Sequence, residues 1–66
     1  MTGKELKQLR KKLGYSQWAM AKRLGISQGS VTNYENEYRA IPEDISKELE
    51  GMKYDIIADK IMEEIL

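Results

Sequence analysis

The sequence contains no cysteine and no histidine. Without cysteine, neither a disulfide framework nor a thiolate metal site can form. Without histidine, the chain lacks the commonest metal ligand and the usual general base near neutral pH. Catalysis would then need paired carboxylates in a cleft, whereas we expect the acidic residues to be spread over exposed helix faces. We therefore expect no enzymatic activity, no metal or other cofactor and no small-molecule ligand.

Long hydrophobic runs are also absent. No apolar stretch approaches the roughly 20 residues that span a bilayer, and the chain does not open with a signal-peptide pattern. We expect a soluble, cytoplasmic protein without a membrane partner. The 66 residues allow one domain, residues 1–66, with no room for a second core. A single proline and few β-branched runs favour an all-α fold.

Charged residues are abundant, but the two signs are segregated along the chain. Residues 1–34 contain seven basic residues and one acid, a net charge of +6, whereas residues 35–66 contain four basic residues and ten acids, a net charge of −6. A polyanion would be attracted to the first half and repelled by the second. Ordinary solvated helix surfaces could carry the same charges, so charge alone does not decide between the two interpretations.

Capping residues and glycines mark three helices in the first half of the chain. Thr2 and Glu5 have the spacing of a capping box, and Gly14 stands where a glycine commonly ends a helix. Ser16 and Ser27 are suited to cap two further helices, which a tight, glycine-containing turn would join. The predicted bounds are helix 1 up to Leu13, helix 2 over 17–24 and helix 3 from Gln28 to about Glu35.

Helix 3 has few apolar residues that could be buried in a hydrophobic core. Its one inward aliphatic residue is Val31, and its other residues are mostly small or able to form hydrogen bonds: Gln28, Gly29, Ser30, Thr32 and Asn33. Such a helix is suited to a DNA groove, which is lined with donors and acceptors. The alternative is a polar surface helix in a small bundle.

The second half of the chain predicts two more helices. Pro42 can take the first position of helix 4, and Gly51 is expected to end that helix. A fifth helix from about residue 54 to the end has more large aliphatic residues than one core-facing stripe requires. We therefore expect a homodimer interface there, formed by Ile57, Ile61, Met62, Ile65 and Leu66.

Residues 16–36, SQWAMAKRLGISQGSVTNYEN, resemble the helix-turn-helix of the phage repressor/Cro family. The matching positions are Gln17, Ala21, Leu24, Gly25, Ile26, Ser27, Val31 and Glu35, and the resemblance extends over about residues 3–50. It implies a compact five-helix, repressor-like bundle in which helices 2 and 3 form the motif. It also implies a sequence-specific regulator of transcription that binds double-stranded operator DNA as a dimer, with helix 3 in the major groove.

The resemblance assigns roles to individual residues. It places Gln28, Gly29, Thr32 and Asn33 at the bases, where Gly29 would allow a close approach of the backbone. It places Ser16, Gln17, Ser30, Asn36 and Arg39 at the phosphates. It pairs Arg10 with Glu35 between helix 1 and the end of helix 3; a phosphate contact is the alternative for Arg10.

Three positions depart from the family pattern. Gly29 replaces a side chain that often reads a base. Glu37 replaces the glycine that usually follows helix 3, and we expect Asn36 to take the positive φ there. Trp18 is unusual in its place, and it either stacks on a sugar-phosphate edge, covers Tyr15, or is a half-buried surface aromatic.

A second function also stays open, a protein-interaction module of the antirepressor or antitoxin kind, favoured by the zero net charge and the apolar C-terminal helix.

Overall fold

The computed structural model describes residues 1–65, except for the side chain of Ile65, and within that range it consists of helices and connecting turns without a strand. The helices are α1 (Gly3–Leu13), α2 (Gln17–Leu24), α3 (Gln28–Glu35) and α4 (Glu43–Ile65). The all-α prediction is confirmed, and the bounds of α2 and α3 are those expected from the capping residues.

Capping hydrogen bonds fix where the first three helices begin. Thr2 and Glu5 form the expected capping box, in which each side chain accepts a hydrogen bond from the other residue's backbone N–H at 3.2 Å. Ser16 Oγ accepts from the backbone of Ala19, and Ser27 Oγ accepts from that of Ser30. These bonds satisfy donors that the first turn of a helix leaves free, which is why serine is favoured there.

Left-handed glycines end α1 and α2. Gly14 has φ 73° and Gly25 has φ 70°, a conformation that costs glycine little because it has no Cβ. Each glycine N–H donates back to carbonyls of the preceding turn. The chain can therefore reverse sharply after Leu24 and start α3 after only three connecting residues.

All four helices contribute to one hydrophobic core. Leu6, Met20, Val31 and Leu49, one from each helix, are completely buried at its centre. The core is completed by Leu9, Ala21, Leu24, Tyr34, Ile45 and Met52. Packing against this core, rather than intrinsic propensity, holds helices as short as α2 and α3 in place.

The expected fifth helix is wrong, because α4 runs without a break from Glu43 to Ile65. Gly51 lies inside α4 and does not take a positive φ. Glycine costs about 1 kcal/mol relative to alanine inside a helix. Burial of Leu49 and Met52 and the partial burial of Ile56 keep the segments before and after Gly51 on one axis. None of the helices within residues 1–65 has the length and hydrophobicity of a membrane-spanning segment.

The turn after α3 also differs from the expectation. Asn36 has φ −83°, and it is Glu37 that takes the positive φ, at 61°. The chain keeps a right-handed conformation one residue longer than expected, because the Asn36 N–H still donates to the Thr32 carbonyl. The left-handed residue is therefore a glutamate, which has a Cβ and is strained there.

Candidate nucleic-acid interface

The helix-turn-helix is formed by α2, the turn at Gly25 and α3. Ala21 is buried where the two helices meet, and Val31 is fully buried on the inner face of α3. Ile26 in the turn is partly buried against the same core. A larger residue than alanine at position 21 would push the helices apart, so this small side chain fixes how α3 is presented.

The outer face of α3 is polar. Gln28 and Gly29 are exposed, while Ser30, Thr32 and Asn33 are half-buried, and all but Gly29 carry side-chain donors or acceptors. A Cβ added to Gly29 would have only Ser27 Oγ nearby, at 4.0 Å. Position 29 therefore leaves the backbone of α3 open to close approach from outside.

The side chains of Thr32 and Gln17 are hydrogen-bonded to each other. The Thr32 hydroxyl lies 3.1 Å from Gln17 Oε1 and 3.2 Å from the carbonyl oxygen of Gln28, both of which accept from it. Gln17 Nε2 in turn donates to Glu35 Oε1 at 3.2 Å. The residue expected at a phosphate and the residue expected at a base thus belong to one hydrogen-bonded chain, which the sequence patterns did not indicate.

Arg10 and Glu35 form the ion pair between α1 and the end of α3. Arg10 Nε donates to Glu35 Oε2 at 2.6 Å, and Arg10 Nη2 donates to Glu35 Oε1 at 3.1 Å. Arg10 Nη1 also donates to the Tyr15 carbonyl at 2.9 Å. This two-point geometry fits the planar guanidinium to the carboxylate and locks the end of α3 to α1.

Hydrogen bonding decides the protonation of Glu35. Burial by itself would raise the pKa of Glu35, but the hydrogen bonds from Arg10 and Gln17 and the positive charge of Arg10 outweigh burial and hold the pKa below its ordinary value. The pKa of Arg10 is raised, chiefly by its hydrogen bond to Glu35. The pair therefore stays ionised near neutral pH, and Gln17 is oriented by a charged acceptor.

The residues expected at the phosphates lie in the first turns of α2 and α3 and just after the end of α3. Ser16 and Ser30 are at the first turns of α2 and α3, and Ser30 Oγ is 2.9 Å from Ser27 Oγ. Asn36 and Arg39 are exposed just after α3. Backbone N–H groups at the start of a helix favour anions, so Ser16 and Gln17 lie where a phosphate would be stabilised.

Trp18 is an exposed surface aromatic, with 56% of its surface accessible. Lys22 Nζ lies 4.5 Å from the centroid of its ring, a cation–π distance. The Tyr15 hydroxyl, in contrast, accepts a hydrogen bond from Arg23 Nη1 at 3.3 Å. Trp18 and Lys22 thus present an aromatic ring and a positive charge side by side on the outside of α2.

The residues expected at a dimer interface lie on the C-terminal half of α4. Ile57, Ile61 and Met62 are exposed there. The side chain of Ile65 and the residue Leu66 lie outside the described part of the chain.

Comparison with known proteins places the helix-turn-helix in a family. Residues 6–51 match the model of the family described as Helix-turn-helix (HTH_3). The HTH-type transcriptional regulator ImmR of Bacillus subtilis is 35% identical over 60 residues, which are 91% of this chain and 46% of that protein. A putative HTH-type transcriptional regulatory protein of Thermococcus kodakarensis, TK0539, is 36% identical over 61 residues, 92% of this chain and 19% of that protein.

The chain therefore spans about half the length of the first relative and a fifth of the second. No solved structure matches the chain.

Proposed function

Because the chain belongs to the Cro/C1-type helix-turn-helix family, we propose that it binds double-stranded DNA sequence-specifically and thereby regulates transcription. The observation that carries the proposal is the polar outer face of α3 on a helix whose inner face is held by Val31 and Tyr34. A buried inner face fixes the helix, so the outer side chains are presented in a constant arrangement.

In this proposal α3 enters the major groove. Gln28 and Asn33 contact base edges, where their amides can pair with N6 and N7 of adenine. Thr32 contributes less as a donor, because its hydroxyl hydrogen is directed to Gln17 or to the Gln28 carbonyl. It offers its methyl group and its oxygen lone pairs instead, which suit a thymine methyl or the amino group of cytosine.

Phosphate contacts would set the position of α3 in the groove. The second Nε2 hydrogen of Gln17 is left for a phosphate once the first is donated to Glu35. Ser16, Ser30, Asn36 and Arg39 complete the proposed set of phosphate contacts. The connection through Glu35 to Arg10 holds Gln17 in place, so a phosphate bound there fixes α2 relative to the DNA.

The proposal includes a homodimer. Residues 1–66 act as one DNA-binding domain, whose C-terminal helical segment from about residue 54 pairs with that of a second copy. A two-fold dimer places two copies of α3 about one turn of DNA apart, roughly 34 Å, on a near-palindromic operator. One short helix with few base-reading side chains binds weakly alone, and a second copy supplies the missing affinity.

A gel-shift series tests this function. Binding sites are first selected from random duplex DNA, and the affinity for the selected site is then measured from 50 to 200 mM salt. We expect a steep linear decrease of log K with log salt, with a slope near −0.9 per phosphate contacted. Failure to retard any duplex at low salt would contradict the proposal and favour a protein-interaction module.

Variants of α3 test which side chains read the sequence. Gln28→Ala and Asn33→Ala should each lower discrimination at one base pair by about 1–3 kcal/mol while leaving non-specific binding nearly unchanged. Gln8→Ala, the same deletion of an amide on α1, is the matched control. Unchanged selected sites for both α3 variants would exclude α3 as the reader.

A further inference from the structure

A groove runs between α1 and the C-terminal half of α4. Its volume is about 300 Å³, and Leu9 from α1 with Ile56 and Ile57 from α4 give it an apolar lining. Leu9 is buried and Ile56 is partly buried against the core, so the groove opens onto the edge of the core itself. Ile57 stays 44% exposed. Concave apolar surface that the fold leaves uncovered is typical of a site for another molecule.

Three lysines surround this apolar lining, Lys12 on α1 and Lys53 and Lys60 on α4. Within the part of the chain that the structure describes, none of the three forms a salt bridge. The one acid among the described lining residues is Glu5, whose carboxylate accepts a hydrogen bond from the Thr2 N–H. The pKa of Glu5 is lowered first by its hydrogen bonds with Thr2 and least by the charge of Lys53. Glu5 thus serves the helix cap, and the lysines are left for an anionic occupant.

The positive part of the groove is short. On α4 it extends from Lys53 to Lys60, seven residues or two helical turns, about 10.5 Å. Glu50 precedes Lys53 by three residues and Glu64 follows Lys60 by four, and both are exposed outside the groove lining. These two acids would repel an anionic occupant that extended beyond the lysines. The charges therefore fit an acidic segment of about two turns.

The groove lies on the side of α1 opposite to the end of α3. Gly3 and Arg10, which contact the end of α3, are seven residues apart and mark one side of α1. Glu5 and Lys12, which line the groove, follow them by two residues each and so lie about 200° around the helix. An occupant of the groove therefore leaves the outer face of α3 uncovered.

We infer that this groove binds an acidic amphipathic helix of a partner protein. Apolar side chains of that helix pack on Leu9, Ile56 and Ile57, and its carboxylates lie beside the three lysines. The apolar lining favours a peptide over nucleic acid, whose outer surface is sugar and phosphate. Ile61, one turn beyond Ile57 and 51% exposed, extends the apolar surface past the groove, which favours a helix over a small ligand. Apolar burial supplies the attraction, and the lysines select an acidic partner.

Three designed helical peptides test the apolar and the charged part of this inference separately. The first has leucines spaced i, i+3 and i+7 with glutamates beside them. The second has glutamine in place of every glutamate, and the third has alanine in place of every leucine. Fluorescence anisotropy of the labelled peptides with the full chain at low salt gives the dissociation constants. We expect the first peptide to bind at least about fivefold more tightly than either of the others.

The other outcomes of this comparison overturn the inference. Equal binding of the first and second peptides would mean that the lysines do not select acidic partners. Equal binding of the first and third would mean that the apolar lining is not used. Failure of all three to bind would mean that the groove does not accept a helix.

A double variant shows whether the acidic peptide binds in the groove. Lys12→Gln/Lys60→Gln removes one cation from each side of the groove, and the dissociation constant should rise about fivefold at low salt and change little at high salt. Lys11→Gln/Lys47→Gln is the matched control, because it removes one exposed lysine from each of the same two helices outside the groove. The control should bind the peptide like the wild type. Equal weakening in both double variants would mean attraction by net charge alone and overturns the inference.

Two measurements decide between a partner helix and other occupants. Random-sequence duplex DNA added to the complex should leave the labelled peptide bound, whereas displacement would mean that the lysines of the groove bind phosphates. In sedimentation equilibrium the Lys12→Gln/Lys60→Gln variant should self-associate as the control variant does. Weaker self-association than that of the control would mean that a second copy occupies the groove. Either of these contrary results overturns the inference.

The inference goes beyond the proposed function and is tested without it. The peptide titrations contain no DNA, and the gel shift contains no peptide. Peptide binding in a chain that retards no duplex would leave the partner site standing and the proposed function contradicted. A gel shift without peptide binding would do the reverse.

Discussion

The backbone of Gly3 packs directly against the carbonyl oxygen of Tyr34, so closely that a Cβ on residue 3 would overlap that oxygen. The same carbonyl accepts a hydrogen bond from the Glu37 N–H at 3.1 Å, so it is held in place from the other side. The contact brings the first turn of α1 onto the end of α3, the region that Arg10 and Glu35 also join.

Gly3→Ala should therefore destabilise the fold. The obstructing atom belongs to the backbone and cannot rotate away, so α1 or α3 has to shift. We expect a loss of about 1–3 kcal/mol, typical of overpacking a well-packed site. For a domain of this size each kcal/mol corresponds to a decrease in Tm of about 4–8 °C, which thermal unfolding followed by circular dichroism would measure.

Gly51→Ala makes the same chemical change where nothing opposes it. An added Cβ at Gly51 would have no neighbour within 4 Å, and the residue lies inside α4. We expect a gain of about 1 kcal/mol, since alanine is the better helix former. If the two variants changed Tm in the same direction, the close contact of Gly3 with Tyr34 would not be the cause.

The ion pair of Arg10 with Glu35 makes stability depend on acid pH. Because the pKa of Glu35 in the folded chain lies below its ordinary value of 4.5, this residue stabilises the fold fully above about pH 4.5. That contribution is lost as the pH falls through the lower, folded-state pKa. Glu35→Gln should cost about 2 kcal/mol at pH 7, the usual cost of losing a hydrogen bond to a charged group, and should flatten the acid decline.

Urea unfolding from pH 7 to pH 3 measures this effect. Glu48→Gln, the same chemical change on the exposed surface of α4, controls for the loss of one carboxylate. An acid decline as steep in Glu35→Gln as in the wild type would show that other carboxylates control acid stability.

Local signals predicted most of the first three helices. Helix caps depend only on residues within one turn of the cap. The effects of the serines at 16 and 27 and of the glycines at 14 and 25 can therefore be predicted without knowledge of the fold. Gly51 gave the same kind of local indication, the end of a helix, but that prediction was wrong. Burial of Met52 in the core, a long-range effect, keeps α4 continuous through Gly51. The cost of one helical glycine is small beside that burial.

In the candidate site, too, local features could be predicted from the sequence, whereas contacts between helices could not. The polar character of α3 and the family resemblance together assigned Gln28 and Asn33 to the DNA bases, and that assignment stays a prediction. The sequence did not reveal that Gln17 joins Thr32 to Glu35, because those contacts depend on how α2 crosses α3. The positive φ at Glu37 instead of Asn36 likewise depends on how far the last turn of α3 continues.

The strained turn at Glu37 can be relieved. Its φ of 61° is costly for a residue with a Cβ and easy for glycine. Glu37→Gly should stabilise the fold by about 0.5–1 kcal/mol, after allowance for the greater freedom of glycine in the unfolded chain. Glu37→Ala is the control and should give no such gain, because alanine keeps the Cβ. A higher Tm for both variants would point to the lost charge instead of the backbone.

Gly29 should show opposite effects on stability and on binding. No atom lies closer than 4.0 Å to a Cβ placed there, so Gly29→Ala should leave the free chain at least as stable as the wild type. If α3 brings its backbone against the DNA at this position, the added methyl group keeps the helix away from the bases. We then expect a dissociation constant for the selected operator about tenfold higher or more, equivalent to about 1.4 kcal/mol.

Gly51→Ala, with the same added methyl far from α3, should bind like the wild type. Gel shift and thermal unfolding on the same preparations separate the effects, and unchanged operator affinity in Gly29→Ala would mean that the backbone at residue 29 does not approach DNA.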